Sequence, residues 1–216
     1  MAGPSWFVSQ AAAQTVPFAI GNSVVADGLK ITLTGCTVNG TKVTGTGACG
    51  TNLDLEVGTG RGANIDVVSA TTGGSIASVA AAGSNYDLVY TLSVAAASGA
   101  PVVSYAATTL TGTQNANVSL SDTLLNAANA QVAAQSINLA SAASVTSTNS
   151  FASTTALSVT TTLQLTGVTG TTLKLSGVAQ GFSPAPEPLS IGVFAVGLAG
   201  LGFARRRRGD SVDRAN

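Results

Sequence analysis

The fold class is decided most clearly by residues 86–94, whose sequence is YDLVYTLSV. Every second side chain in this run is large and aromatic or aliphatic, and the residues between them are mostly polar. Successive side chains of a β-strand point to opposite faces, so a period of two predicts a strand with one buried and one wetter face. The face predicted to be buried consists of Tyr86, Leu88, Tyr90, Leu92 and Val94.

The same alternation recurs in shorter runs on both sides of this strand, at residues 29–34, 53–57, 65–67, 157–165 and 173–175. Clusters rich in Gly, Asn and Thr separate the runs, and such residues are typical of turns. One apolar and one polar face per strand favours antiparallel sheets packed face to face. We therefore predict an all-β fold, an antiparallel β-sandwich of about nine or ten short strands over residues 21–179. A right-handed β-helix is the alternative, but no fixed internal period supports it.

Several segments are harder to interpret. Residues 121–143 favour a strand, a turn around residues 126–129 and a second strand, although their alanine content also suits a short helix. Residues 145–155 are rich in Ser and Thr and predict a long loop. Residues 180–188 contain three prolines and predict a linker after the last strand.

Composition limits the classes of function. The chain is 45% hydrophobic but only 8% charged, against roughly 25% charged in an ordinary globular protein. Four positive and six negative side chains precede residue 184, so no basic patch is present and nucleic-acid binding is not expected. The abundance of Ala, Gly, Ser and Thr suits a secreted matrix-type protein better than a cytosolic enzyme.

The C-terminal end carries the sharpest pattern in the chain. Pro186, Glu187 and Pro188 precede an uncharged apolar run at residues 189–204, which four arginines follow: Arg205, Arg206, Arg207 and Arg208. The sixteen residues of the run would span about 24 Å as a helix, against a hydrocarbon core of about 30 Å. The alternative is a buried core helix, but a helix that is apolar on every side needs full burial or lipid, and four adjacent arginines at its end would be costly to bury. We therefore predict a single transmembrane helix at 189–204, with the basic tail 205–216 in the cytoplasm.

The order of the Pro-Glu-Pro motif, the short apolar helix and the arginine cluster resembles that of the PEP-CTERM sorting signal of Gram-negative bacteria. The resemblance implies export across the inner membrane, transient recognition by an exosortase, and cleavage near residues 186–188. It also implies exopolysaccharide as a candidate partner. The protein would first be anchored in the inner membrane and then reside at the cell surface or outside the cell.

The first twenty residues fit this export route only in part. No Lys or Arg precedes Lys30, although an export signal ordinarily begins with basic residues and a 7–15-residue apolar core. The run Ala11-Ala12-Ala13 looks like the small-residue end of such a signal. We interpret residues 1–20 as the remnant of a signal peptide whose true start lies further upstream.

Two cysteines, Cys36 and Cys49, bracket the turn-rich segment CTVNGTKVTGTGAC between two predicted strands. In an oxidising exterior a disulfide between them is the favoured interpretation. A metal pair or a redox pair is the alternative. The chain has no histidine to complete a ligand set, and the spacing is not C-x-x-C.

Catalytic patterns are sparse. Without histidine, no Ser-His-Asp or Cys-His pair can form. Asp54 and Glu56 share the outward face of one predicted strand, and we interpret them as solvated. A glycoside-hydrolase pair or weak Ca²⁺ coordination with Asp66 is a minor alternative. Two glycine patterns, at residues 45–50 and 58–63, resemble dinucleotide fingerprints but precede predicted strands, so no cofactor is expected.

We therefore expect a non-enzymatic cell-surface or extracellular-matrix protein. The alternative is a carbohydrate-binding module, or a weak glycan-active enzyme, on the same β-sandwich. A binding module would need an exposed aromatic platform. The aromatic residues available for one are Trp6, Phe7, Phe18, Tyr86, Tyr90, Tyr105, Phe151 and Phe182.

Overall fold

Two antiparallel sheets of seven strands each pack against one hydrophobic core in the computed structural model, which describes residues 14–58, 63–97 and 103–183. All strand pairings within these residues are antiparallel. The predicted all-β sandwich is confirmed. The alternative of a right-handed β-helix is wrong, because the two sheets are antiparallel and lie on opposite sides of a shared core.

The strands are numbered in chain order. Their bounds are β1 Thr15–Pro17, β2 Ser23–Ala26, β3 Leu29–Val38, β4 Thr41–Lys42, β5 Leu53–Val57, β6 Ala63–Ser69, β7 Ala77–Val79, β8 Asn85–Ala96, β9 Val103–Gly112, β10 Val118–Asn126, β11 Gln131–Asn138, β12 Ser144–Thr154, β13 Ala156–Thr166 and β14 Leu173–Ser183.

The first sheet has the strand order β1-β5-β6-β14-β9-β12, with β7 paired to one end of β14. The second sheet has the order β11-β10-β13-β8-β3-β2, with β4 paired to β3. From β8 onward the chain crosses repeatedly between the sheets, since β9, β12 and β14 lie in the first and β10, β11 and β13 in the second. Strands distant in sequence therefore face each other across the core.

Strand β8 shows why the alternating pattern produces this fold. Leu88, Tyr90, Leu92 and Val94 are all fully buried, and the residues between them lie on the wetter face. The neighbouring strand β13 continues the buried surface, with Val159 directly opposite Leu92. Each large apolar side chain removed from water contributes about 1.5–3 kcal/mol, so this central pair of strands supplies much of the core stability.

Two hairpins use the turn residues that their geometry requires. Asp27-Gly28 connects β2 to β3, and Asn39-Gly40 connects β3 to β4. All four residues have positive φ, between 46° and 77°. Two-residue turns of this kind match the twist of the strands and favour Asn or Asp followed by Gly. The Asn39-Gly40 turn lies in the segment between the two cysteines that the sequence indicated to be rich in turns.

The number of strands and one predicted loop need correction. Fourteen strands occur in the described residues, more than the nine or ten predicted, and several are ten or more residues long. Residues 145–155, predicted as a loop, form most of β12. This strand lies at an edge of the first sheet, and only Val145 and Phe151 provide partly buried large apolar side chains. Its apolar period was too weak to indicate a strand, although threonine suits β-structure well.

The predicted boundaries of the sandwich also change. Residues 15–17 form β1, and the side chain of Phe18 is buried in the core. The sandwich therefore begins before residue 21, and this part of the predicted remnant 1–20 is structural. At the other end β14 continues to Ser183, so the predicted linker at 180–188 begins too early. The preferred interpretation of 121–143 is confirmed, because β10 and β11 flank a turn at Asn126 and Asn129.

The predicted membrane helix 189–204, the motif at 186–188 and the tail 205–216 lie outside the described residues. Within the described ranges, no helix has the length and hydropathy needed to cross a membrane.

Candidate functional site

The two cysteines are joined in a disulfide, as the sequence predicted. Cys36 lies on β3 and Cys49 in the loop before β5, with their Cα atoms 5.9 Å apart. Both residues are buried, and Tyr90 is the direct register partner of Cys36 on the neighbouring strand. The ring of Phe18 packs edge-on against that of Tyr90, with 5.2 Å between centroids. The bridge thus ties the long loop to the core and has a structural role.

The carboxylates singled out from the sequence gather on the outer face of the first sheet. Asp54 and Glu56 lie half-buried on β5, while the alternate residues Leu53 and Leu55 point inward. Asp66 on β6 is the direct register partner of Glu56. The pKa of Asp66 is raised, mainly because burial disfavours its charged form and also because Glu56 repels it. The structure therefore confirms the prediction that Asp54 and Glu56 face outward. Asp66 lies on the same outer face.

Next to these carboxylates lies a shallow depression of about 240 Å³, open to solvent. Asp66 and Val68 of β6, Thr111 of β9, and Ser176 and Gly177 of β14 line it. A β-carbon built at Gly177 would meet no atom closer than 4.0 Å, so the missing side chain leaves open space there. The depression presents one carboxylate, two hydroxyls and backbone, which are groups able to hydrogen-bond a polar ligand.

The aromatic residues do not provide a platform in the described part of the chain. Phe18, Tyr90 and Phe182 are buried in the core. Tyr86, Tyr105 and Phe151 are half-buried, and the single exposed large hydrophobic side chain among the described residues is Val25, at 47% exposure. Trp6 and Phe7 lie outside the described residues.

The most elaborate polar arrangement lies inside the sandwich, and the sequence analysis missed it. Four inward-facing residues of the second sheet stand side by side, on β11, β10, β13 and β8, each the register partner of the next. Two register partners on β9 and β14 of the first sheet face them. We call these six buried residues the polar belt; they are Gln135, Asp122, Thr161, Tyr90, Thr108 and Gln180.

Asp122 lies at the centre of the polar belt, with only 1% of its surface exposed. Its Oδ2 accepts hydrogen bonds from Thr108 Oγ1 at 2.6 Å and from Gln135 Nε2 at 2.7 Å. Gln135 Nε2 also donates to Thr108 Oγ1, at 2.5 Å. These three groups form a closed triangle, and hydrogen bonds to a carboxylate are about twice as strong as neutral ones.

The belt continues on both sides of this triangle. On the core side, Gln180 Nε2 approaches Asp122 Oδ1 at 3.5 Å and donates to Thr161 Oγ1 at 2.9 Å. Tyr90 donates its hydroxyl to Gln180 Oε1 at 3.3 Å, and burial, followed by the nearby Asp122, raises the pKa of that phenol.

On the edge side, Asn149 of β12 donates from Nδ2 to Gln135 Oε1 at 3.1 Å. A chain of hydrogen bonds therefore runs from the middle of the core to the edge where β11 and β12 lie.

The sequence did contain a signal for the belt. Asp122 alternates in phase with the buried residues Leu120 and Leu124, and Gln180 does so with Val178 and Phe182. Polar residues in the inward phase of a strand must find hydrogen-bond partners in the core. The partners themselves come from strands far apart in the chain, so the pattern could mark the belt members but not their pairing.

No family model matches the sequence, and no curated protein matches it. Among solved structures, TmCBM61 in complex with β-1,4-galactotriose is 7% identical, with 71% of this chain and 88% of that chain covered and a TM-score of 0.36.

Two further structures are similar at lower TM-scores. The structure described as "CBM4 structure and function" is 11% identical, with coverage of 61% of this chain and 75% of that chain and a TM-score of 0.27. A carbohydrate binding module from Cellvibrio mixtus lichenase 5A, in complex with cellotriose, is 13% identical, with coverage of 61% and 87% and a TM-score of 0.25. Because these TM-scores lie below 0.5, we infer neither a family nor a ligand from the likeness.

Proposed function

We propose that this chain is an exported, non-enzymatic protein of the cell surface or extracellular matrix, delivered by its C-terminal segment. The observation that carries the proposal is the order of Pro186, Glu187 and Pro188, the apolar run 189–204 and the arginines 205–208. An exosortase would recognise this segment in the inner membrane and cleave it near residues 186–188, which would release the β-sandwich to the outside.

The sandwich has properties that suit this destination. Its disulfide between Cys36 and Cys49 is a bond that persists in oxidising compartments and is rare in the cytosol. The outer strand faces carry many hydroxyls, some paired across strands, as between Thr109 and Thr146 at 2.7 Å. Such a surface is well hydrated and nearly uncharged, which fits a role within a polysaccharide matrix.

The sorting step can be tested by substitution of the signal in the full chain. Replacement of Pro186, Glu187 and Pro188 by alanine should leave the protein uncleaved and retained in the inner-membrane fraction. The matched control changes Asp210 and Asp213 to asparagine, which alters the tail beyond the arginines and should leave release unchanged. Release of the triple alanine variant at the wild-type level would contradict the proposed signal.

A second candidate function, binding of a neutral polysaccharide, is favoured by the depression on the first sheet. Asp66, Thr111 and Ser176 offer there the carboxylate and hydroxyl groups that hydrogen-bond to sugars. This candidate depends on the depression alone. The role is binding without catalysis, since we assign no reacting pair of groups to the depression.

The Gly177→Leu substitution provides a direct test of the second candidate. A leucine there would project into open space and fill the depression, and Gly177 does not have the positive φ that would strain a side chain. Affinity electrophoresis in gels that contain the exopolysaccharide of the producing cell should show retardation of the wild type and little retardation of this variant. The control Thr123→Leu adds the same side chain at an exposed position of the other sheet. Equal retardation of all three proteins would exclude the depression as the site.

A further inference from the structure

The triangle within the polar belt brings together the groups of an acyl-transfer reaction. Thr108 supplies a hydroxyl, Asp122 a carboxylate within 2.6 Å of it, and Gln135 a carboxamide whose nitrogen lies 2.5 Å from the same hydroxyl. A hydroxyl beside a base is an activated nucleophile, and a carboxamide is an electrophile. All three side chains are buried, with exposures of 2%, 1% and 8%.

We propose that Thr108 and Gln135 become joined by an intramolecular ester bond that links the two sheets covalently. In this reaction Thr108 Oγ1 attacks Cδ of Gln135 and passes its proton to Asp122 Oδ2. The C–N bond of the resulting tetrahedral intermediate then breaks, Asp122 returns the proton to the departing nitrogen, and ammonia leaves. The hydroxyl and the carboxamide thus yield one ester and one ammonia, with no oxidant, metal or cofactor consumed.

The position of Asp122 suits both proton transfers. Its Oδ2 accepts hydrogen bonds from the nucleophile, Thr108 Oγ1, and from the leaving nitrogen, Gln135 Nε2, at 2.6 and 2.7 Å. One oxygen atom can therefore take the proton from the first group and deliver it to the second. Proton transfer by a side chain held at hydrogen-bond distance is the usual form of general acid–base catalysis.

Asn149 occupies the place of an oxyanion donor. Its Nδ2 donates to Gln135 Oε1 at 3.1 Å, and this oxygen acquires negative charge in the tetrahedral intermediate. A donor aimed at the developing charge stabilises the transition state most effectively where water is excluded. The role of Asn149 is thus distinct from that of Asp122 and can be tested separately.

Attack requires the carboxamide of Gln135 to turn. In the structure its nitrogen faces the hydroxyl of Thr108, and rotation about the last side-chain torsion leaves Cδ in place but turns the face of the carbonyl group toward Oγ1. That torsion is broad in glutamine and has low barriers. Groups held in contact react with effective concentrations of about 10⁵–10⁸ M, which compensates for the low reactivity of an amide. Gln135 and Asn149 lie on the edge strands β11 and β12, which gives ammonia a short path to solvent.

The belt contains a second threonine and glutamine in contact, and they form an internal control. Gln180 Nε2 donates to Thr161 Oγ1 at 2.9 Å, but the bond between Asp122 and a threonine hydroxyl is made with Thr108. Thr161 is the register partner of Asp122, but its hydroxyl accepts from Gln180 and makes no hydrogen bond to the carboxylate among the described contacts. The proposal assigns the ester to Thr108 and Gln135 and predicts none at Thr161.

Mass spectrometry of the purified full chain tests the proposal, independently of export or glycan binding. Trypsin leaves residues 62–174 as one fragment, because no lysine or arginine lies between Arg61 and Lys174, and this fragment contains no cysteine. The ester predicts that the fragment is lighter than its sequence by one ammonia. Cleavage before Asp122 should then leave residues 87–121 and 122–174 joined. A fragment of full sequence mass, or pieces that separate, would overturn the proposal.

Variants locate the reacting groups. The fragments of Thr108→Val and Asp122→Asn should carry the full mass for their sequences, and that of Thr161→Val should remain lighter by one ammonia. Thermal unfolding shows whether each variant is folded, and the mass of the wild-type fragment decides the proposal even where a variant is not. Ammonia loss that persists in Thr108→Val and disappears in Thr161→Val would contradict the assignment.

Discussion

Oγ1 of Thr108 lies 2.6 Å from Oδ2 of Asp122, although the two residues belong to opposite sheets of the sandwich. This contact, with those of Gln135 and Gln180, makes the middle of the core polar and directional. Apolar packing alone does not fix how far one sheet is shifted along the other. A buried carboxylate that accepts from specific strands fixes their alignment, because any shift would leave it without partners.

Replacement of Asp122 by alanine should therefore be strongly destabilising. The change would prevent the proposed ester, so Thr108 and Gln135 would keep buried donors that lack the Asp122 acceptor, and each such loss costs about 1–3 kcal/mol. We expect the free energy of unfolding, measured by urea denaturation, to fall by about 3 kcal/mol or more. The neighbouring substitution Ser121→Ala, at an exposed position, should change it by less than about 0.5 kcal/mol. Similar effects of the two substitutions would show that the belt does not stabilise the fold.

Tyr90→Phe tests the far end of the belt. The substitution keeps the ring against Phe18 and removes only the hydroxyl that donates to Gln180 Oε1. We expect a loss of about 1–2 kcal/mol in the free energy of unfolding, since a buried acceptor loses its donor. The half-buried Tyr86 provides the control, and Tyr86→Phe should cost less than about 0.5 kcal/mol. Equal losses would argue against a structural role for the Tyr90 hydroxyl.

The disulfide should contribute mainly by restricting the unfolded chain. Cys36 and Cys49 are separated by 13 residues, and closure of a loop of this size is worth about 3 kcal/mol. Urea denaturation with and without a reductant should show that difference. A variant with both cysteines changed to serine should resemble the reduced wild type and show no response to reductant. A wild type that is equally stable in both conditions would indicate that the loop is held by its other contacts.

A pH-dependent effect is expected at Asp66. Its pKa is raised above the ordinary value of 3.8, so the folded state keeps its proton at pH values where the unfolded chain has lost it. Stability from this residue is therefore present below pH 3.8 and falls as the pH rises through the raised pKa. The Asp66→Asn variant avoids that loss, so its Tm relative to wild type should increase between pH 3 and pH 7.

A second substitution can separate the two causes of the raised pKa of Asp66. Burial is the larger cause and Glu56 the smaller. In a Glu56→Gln background, the advantage of Asp66→Asn at pH 7 should become smaller but persist. A relative Tm that does not change with pH in either background would contradict the raised pKa.

The parts of the fold that the sequence predicted are those governed by local periodicity. Strand β8 buries an uninterrupted alternate set of large side chains, and β13 buries a set interrupted only by Thr161, so the positions of both strands followed from the pattern. Strand β12 could not be recognised in the same way, because its inward positions include Ser147 and Asn149 as well as apolar residues. The edge of a sheet needs less apolar surface than its centre, so the pattern weakens there.

The pairing of residues in the polar belt could not be predicted from local sequence patterns, for a different reason. An aspartate within a strand is ordinarily expected on the solvent side, and only the phase of Leu120 and Leu124 placed Asp122 inside. Its contact with Thr108 depends on the crossing of the chain from one sheet to the other, which no local pattern specifies. By contrast, the sorting segment depends on composition and order alone, and the sequence suffices to propose its role.

Determination of the mature C-terminus most directly tests the central claim that the chain is sorted, cleaved and released as a surface protein. Mass spectrometry of protein recovered from the cell surface or the medium should find a C-terminal peptide that ends near residues 186–188. Recovery of mature protein that still carries residues 189–204 and an intact Arg205–Arg208 cluster would contradict the account.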